Sequence, residues 1–571
     1  MRQRSPLSFL VVGIVLLLLI GISGCNKSPL NLVGRSETPT QPTAAIFVSK
    51  QSPVMVSMLV NPEQLSALPW SKDLSKLKTS LLTNTSIDYK KDIQPWLGNE
   101  ITLAVTSLDV DRDPANGLQP GYLMALATAQ PEKSREFVDL FFSKRVLAGA
   151  NLAIEQYEGV KLIYENQQET FPSKNSISST STKKKGEQIQ NHLAGAVVGD
   201  RFVLFANEPK VLREAINNVQ AVDLNLTSSP QYQQATKQLP KSSLAVAFLN
   251  LAKVAQWQGL DLSDYIYDSQ ILSLIGDSKG LLAETTFITK KETLPPSAEL
   301  SKPVEALQYL PASASLAISG SDLSNLNESN LAQLWTQATT AIFGSKEDVA
   351  AKWLQPLAEI QQRLGINWKN DIFNWVTGEY ALGLLSREAQ TNPDWIFVAE
   401  KSDATPLGIS HLDQIATSRG LSLNSINLDG QKIYAWTEIT TTPTTSANKK
   451  DQASFTIDAK VQGVHTTLGK YEVIASSIEA IDQVLKNKEN SLPNNKNFQA
   501  SIAAIPQPNQ GYVYLDWTNS QQILERHLPI LKLVEFVGKP FFQNLRSLTV
   551  SSYGNDTKML KAGVFFQLAS H

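Results

Sequence analysis

The feature that most constrains this chain is a pattern that returns. The stretch DYKKDIQPWLGNEI (Asp88 to Ile101) is answered by NWKNDIFNWVTGEY (Asn367 to Tyr380). Further pairs flank it in the same order. VMVSMLVNPEQL (from Val54) matches SLAISGSDL (from Ser315), and YEGVKLIY (Tyr157 to Tyr164) matches LDGQKIY (Leu428 to Tyr434). VVGDRFVLFANEPKVLREAI (from Val197) matches TLGKYEVIASSIEAIDQVL (from Thr467), and LAVAFLNLAKVAQW (from Leu244) matches GYVYLDWTNSQQIL (from Gly511). A shared order of matches across 571 residues reads as a duplication. The expectation is two tandem homologous repeats, residues 44–298 and 303–571, each large enough for its own core.

Within a repeat the hydrophobic period alternates between two kinds of segment. ITLAVTSL and YLMALAT are short apolar or alternating runs bounded by turn residues, as strands are. EKSREFVDLFFSKRVL instead spaces Phe137, Leu140 and Phe141 at helical intervals. VVGDRFVLF, broken by Gly199 and Asp200, reads as a hairpin. These signals predict an α+β fold in which each repeat is a mainly antiparallel sheet with helices packed on one face. In the returning stretch, Asp92 and Asp371 fall where an N-cap would lie, Pro95 within that first turn, and Gly98 and Gly378 where the turn would end. Trp96 and Trp375 then dock into the core. The competing reading is an Asp/Glu pair, Asp92 with Glu100 and Asp371 with Glu379, bracketing an indole as a sugar site does.

The N-terminus MRQRSPLSFLVVGIVLLLLIGISGC carries two arginines, an apolar run and small residues before the only cysteine of the chain. Residues 1–24 therefore read as a signal peptide and Cys25 as the lipid acceptor of a lipoprotein. The alternative is an uncleaved apolar anchor, for which the run is short against the roughly 20 residues a spanning helix needs. Either reading exports the chain and tethers it to a membrane. Residues 25–43, rich in Ser, Thr and Pro, read as a flexible linker. With 51 Lys and Arg against 53 Asp and Glu, no net field recruits nucleic acid, and a single cysteine permits neither an internal disulfide nor a multi-cysteine zinc site.

Few motifs carry chemistry. Asp109, Asp111 and Asp113 have the alternate spacing of a calcium loop and form the one weak metal candidate. Pro114 and Pro120 stand where that loop needs its glycine and its bidentate glutamate. His192, His411, His465, His527 and His571 show no metal-ligand spacing, and no nucleophile elbow or phosphate loop is present. No catalytic residue and no cofactor is assigned. Two polar, Lys-containing segments, at about 167–191 and 438–453, interrupt the same place in each repeat and read as disordered loops. Trp335, Trp353 and Trp395 lack matching tryptophans in the first repeat and are candidates for exposure.

The motifs SPLNLVG, QPWLGNEITLAV, LDVDRDPANGLQPGYLMALA and EQYEGVKLIY resemble those of a cyanobacterial family of membrane-anchored proteins catalogued only as a domain of unknown function. The resemblance spans nearly the whole mature chain and implies an envelope or thylakoid protein facing the periplasm or lumen. It implies no activity. Family members tend to have a plain apolar anchor where this chain has Cys25, which leaves the mode of attachment open. The function expected is that of a membrane-tethered binding or scaffolding protein with an unidentified protein partner. The alternatives are a carrier of an apolar or aromatic ligand in a cleft between the repeats, and a carboxylate-dependent hydrolase.

Overall fold

A computed structural model describes residues 41–60, 88–113, 117–166, 193–258, 267–289, 299–323, 365–386, 393–444, 454–486, 489–520 and 543–569. Cys25, the signal segment, nearly all of the linker, the polar segments 167–191 and 445–453, Trp335 and Trp353 lie outside them. Among the described residues no helix is long and apolar enough to cross a membrane. The chain divides into two compact units, one within Ile14–Ile275 and Thr286–Lys290, the other within Gly276–Thr285 and Lys291–His571.

The N-terminal unit is built on β1 (Val54–Met58), β2 (Leu97–Ser107), β3 (Gly121–Thr128), β4 (Leu152–Tyr157), β5 (Val160–Glu165), β6 (Ala194–Val198), β7 (Phe202–Ala206), β8 (Ser243–Asn250) and β9 (Tyr267–Asp277). Every pairing is antiparallel, in the order β4-β5-β6-β7-β3-β2-β1-β8-β9. Helix α1 (Pro131–Leu147) buries Ser134, Val138 and Phe142, with Leu140 turned to solvent. Val138 and Phe142 pack on Val203 and Phe205 of β7. The preceding Phe202 points the other way, edge-on to Phe47, on the side where α2 (Pro209–Gln220) presses Val211 over Gly121. The short helices α3 (Pro230–Thr236) and α4 (Leu251–Gln258) flank β8, and β10 (Gly280–Thr289) returns from β9.

The C-terminal unit uses β11 (Leu316–Gly320), β12 (Tyr380–Leu385), β13 (Asp394–Glu400), β14 (Ser422–Leu428), β15 (Gln431–Thr444), β16 (Ser454–Leu468), β17 (Tyr471–Ala475), β18 (Tyr512–Asp516), β19 (Leu545–Asp556) and β20 (Met559–Leu568). Its antiparallel order is β14-β15-β16-β17-β13-β12-β11-β18-β19-β20. Strand for strand, this is the order of the N-terminal unit. Helix α5 (Thr405–Ser418) sets Leu412 and Ala416 among Trp375, Phe397, Trp436 and Ile474. On the opposite face α6 (Ile478–Lys486) sets Ile481 and Val484 among Ile396, Val398 and Val473, and α7 (Lys496–Ala503) places Phe498 edge-on to Tyr514 at 5.1 Å.

Helices therefore cover both faces in each unit, which corrects the expectation of one helical face. The reason is visible in the strands. FVLFA of β7 and YEVIA of β17 are buried at every position, and a strand covered on both sides reads as a continuous apolar run rather than an alternation.

Two tight hairpins repeat as well. Tyr157↔Val160 and Leu428↔Gln431 close around Glu158-Gly159 and Asp429-Gly430, with all four turn residues at positive φ, as the twist-matched two-residue turn requires. The second polar segment departs from expectation. Residues 438–444, read from composition as disordered, belong to β15 and pair with 454–460 of β16. The β-branched Thr and Ile of these runs suit an extended backbone even where the composition is polar.

Candidate functional site

The returning Trp stretch folds the same way at both places. Each is a single π-turn, Tyr89–Ile93 and Trp368–Ile372. The N-caps are Asp88 and Asn367, four residues earlier than expected. Asp92 and Asp371 instead reach back, accepting from the N–H of Asp88 at 2.7 Å and of Asn367 at 2.6 Å. Their backbone carbonyls accept the indole N–H of Trp96 at 2.7 Å and of Trp375 at 2.8 Å. The indoles are 1% and 6% exposed. Pro95 follows the turn rather than opening it, and Gly98 lies inside β2, its α-carbon against Ala127.

Both glutamates of the proposed sugar pair are occupied elsewhere. Glu100 accepts from Ala44 N at 2.8 Å, from Thr43 N at 3.0 Å and from the Thr43 hydroxyl, at the start of the 3-10 turn Thr43–Phe47. Glu379 accepts from Glu305 N at 2.9 Å, at the start of the 3-10 turn Glu305–Tyr309, and from the Tyr471 hydroxyl at 2.7 Å. A carboxylate that satisfies the free N–H groups of a distant helical turn ties that turn to the sheet. These acids thus hold structure and do not converge on the indole.

In the Asp-rich loop, Asp111 accepts from Asp113 N at 3.1 Å and Asp109 from Gln119 N at 3.4 Å. Among the described residues no three His, Cys, Asp or Glu side chains gather as a metal site would require. Trp395 is buried, edge-on to Trp368 at 6.0 Å.

The polar cluster that sequence reasoning missed surrounds His465. This ring, 4% exposed, has Glu472 Oε1 3.2 Å from Nδ1 and Asp413 Oδ1 3.3 Å from Nε2. The Asp413 contact is an ion pair without hydrogen-bond alignment, since Nε2 has no directed partner. Tyr434 stacks on the imidazole at 5.1 Å, and Trp436, 5.5 Å away, donates its indole N–H to Asp413 at 2.7 Å. Thr467 donates to the other oxygen of Glu472 at 2.7 Å. Burial disfavours the charged ring, but the two carboxylates outweigh it and hold its pKa up, at about 9. Desolvation likewise opposes ionisation of Asp413, and the charged His465 ring beside it together with the hydrogen bond from Trp436 overcome this to keep its pKa below the usual value. The carboxylates sit at opposite edges of the ring, so they clamp an imidazolium and do not face a common ligand.

This clamp roots the ribbon formed by β15 and β16. His465 lies opposite Tyr434, and beyond the bulge at Trp436/Thr437 the two strands pair with each other and with no third strand among the described residues. β14 pairs β15 only as far as Thr437, and β17 pairs β16 only from Val464. The overhang of β15 from Glu438 to Thr444 is about 20 Å long. One face sets Ile439 opposite Ala459 and Thr441 opposite Ile457; the other sets Glu438 opposite Lys460 and Thr440 opposite Asp458. Ile439 is 52% and Ile457 69% exposed. The structure thus presents an amphipathic two-stranded ribbon whose two outer edges pair with no strand among the described residues.

Comparison with known proteins adds little beyond the family. No curated protein matches. Among solved structures, crystal form I of TP0453 is similar at 9% identity over 46% of this chain and 82% of that chain, with a TM-score of 0.24. Crystal form IV of the same protein gives 11% identity over 43% and 80%, with a TM-score of 0.24. A likeness that weak carries no argument about this chain. The model of the family described as Protein of unknown function (DUF3352) matches residues 9–568, and the chain belongs to that family.

Proposed function

We propose that this is an exported lipoprotein, anchored through Cys25 and held off the membrane by residues 25–43, that binds or scaffolds another protein on the periplasmic or thylakoid-lumen side. The N-terminal pattern supports the anchoring through Cys25, and the resemblance of the quoted motifs to membrane-anchored proteins supports the compartment. The common strand order, the paired π-turns and the paired hairpins support its origin by duplication.

The observation that carries the binding reading is the projecting ribbon. A long two-stranded extension with apolar residues in water and unpaired backbone edges is an aggregation hazard unless something pairs with it or its edges are guarded. Such edges are a common means of capturing an extended partner segment. The test replaces Ile439–Ala459 with Asn-Gly, joining Glu438 to Lys460 across the existing register. Proteins co-purified from detergent-solubilised membranes are then compared between the full chain and this variant. Loss of specific partners with unchanged melting is expected. An identical partner set would overturn the reading.

A further inference from the structure

The outer edge of β16 is self-complementary, and we infer that its occupant is a second copy of this chain. The inference rests on the ribbon being a binding element and names what it binds. Among the described residues, no strand flanks β16 on that side N-terminal to Val464. Two such edges brought together antiparallel about a two-fold axis at Ala459 place Asp458 of each copy opposite Lys460 of the other. The same register sets Ile457 opposite Val461 and Ala459 opposite itself. The two opposite-charge pairs fall on one face and the apolar pairs on the other, in keeping with the alternation within the ribbon.

Both charges are exposed, and neither has an ionic partner among the described residues. The acid facing Lys460 within the ribbon, Glu438, is engaged by Gln462, whose side-chain N–H donates to it at 2.7 Å. Antiparallel pairing at one identical edge is isologous. It closes at two copies and leaves no edge of β16 to propagate into a fibre. The outcome is a four-stranded sheet whose apolar face carries Ile439 and Ile457 from each copy. Confinement of tethered copies to one membrane surface raises their effective concentration and favours the pairing.

The test uses the detergent-solubilised full chain and light scattering across a concentration series. Wild type is expected to dimerise. Asp458→Lys or Lys460→Asp replaces both attractive pairs with repulsive ones and should weaken dimerisation by about tenfold or more. The double variant Asp458→Lys/Lys460→Asp restores opposite charges and should restore the dimer, which also shows that the substitutions leave the ribbon folded. Three results would each overturn the pairing: a wild-type monomer throughout the series, single variants that dimerise like wild type, or a double variant that stays as weak as the singles. A wild-type monomer that still retains another membrane protein through the ribbon overturns self-pairing alone and leaves the binding reading standing.

Discussion

His465 offers the sharpest test of the energetics. Its pKa stands at about 9 in the folded chain against an ordinary value of 6.5. Between those values the folded protein holds a proton that the unfolded chain has released, so stability falls as pH rises, by about 1.4 kcal/mol per unit. The full effect, about 3 kcal/mol over the interval, is present below pH 6.5 and lost above about 9. The groups facing the ring are Asp413 from α5, Glu472 from β17, and Tyr434 and Trp436 from β15. His465→Gln keeps a polar side chain but removes the titration and leaves both acids without their cation. Unfolding in urea, followed by Trp fluorescence at about pH 6, 7.5 and 9.5, should show a falling midpoint in wild type. The variant should be less stable at pH 6 and have a flatter profile. Parallel profiles for the two proteins would show that the carboxylates do not hold a proton on this ring.

Three further outcomes are expected. Trp96→Ala and Trp375→Ala should each destabilise their own unit by about 3–5 kcal/mol through lost burial and the cavity left behind, read as a shift in one of two melting transitions. Glu100→Ala should cost about 1–3 kcal/mol by leaving the N–H groups of Thr43 and Ala44 without an acceptor, seen as early hydrogen exchange at those amides. Cys25→Ser should leave the precursor unprocessed and alter its partition into detergent; unchanged mature mass and partition would refute lipidation.

What the sequence made legible was mostly local. The Trp stretch announced a capped turn with a buried indole because its hydrogen bonds close within a few residues. The N-cap was misplaced because a π-turn carries the returning acid one residue further than the usual capping box. Half of the His465 clamp could have been read: a hairpin about Gly469 and Lys470 sets Thr467 opposite Glu472 and so puts Glu472 on the face of His465. Asp413 could not, since a helix packed from elsewhere supplies it. The ribbon was hidden by composition, because a run such as TEITTTPT resembles a solvated loop unless its register with FTIDAKV is seen.

The place of β1 and β11 in their sheets has a kinetic consequence. Each comes first along the chain among the strands of its antiparallel order yet lies near the middle of that order, so Val54 must await Leu249 and Leu316 must await Leu515. Pairings of such long separation incur most of the loop-closure entropy before any stabilising contact forms, and they slow folding. Neither sheet can close until the last third of its unit has been synthesised. For the exported chain proposed above, that slow central pairing would keep the polypeptide extended during its passage through a membrane.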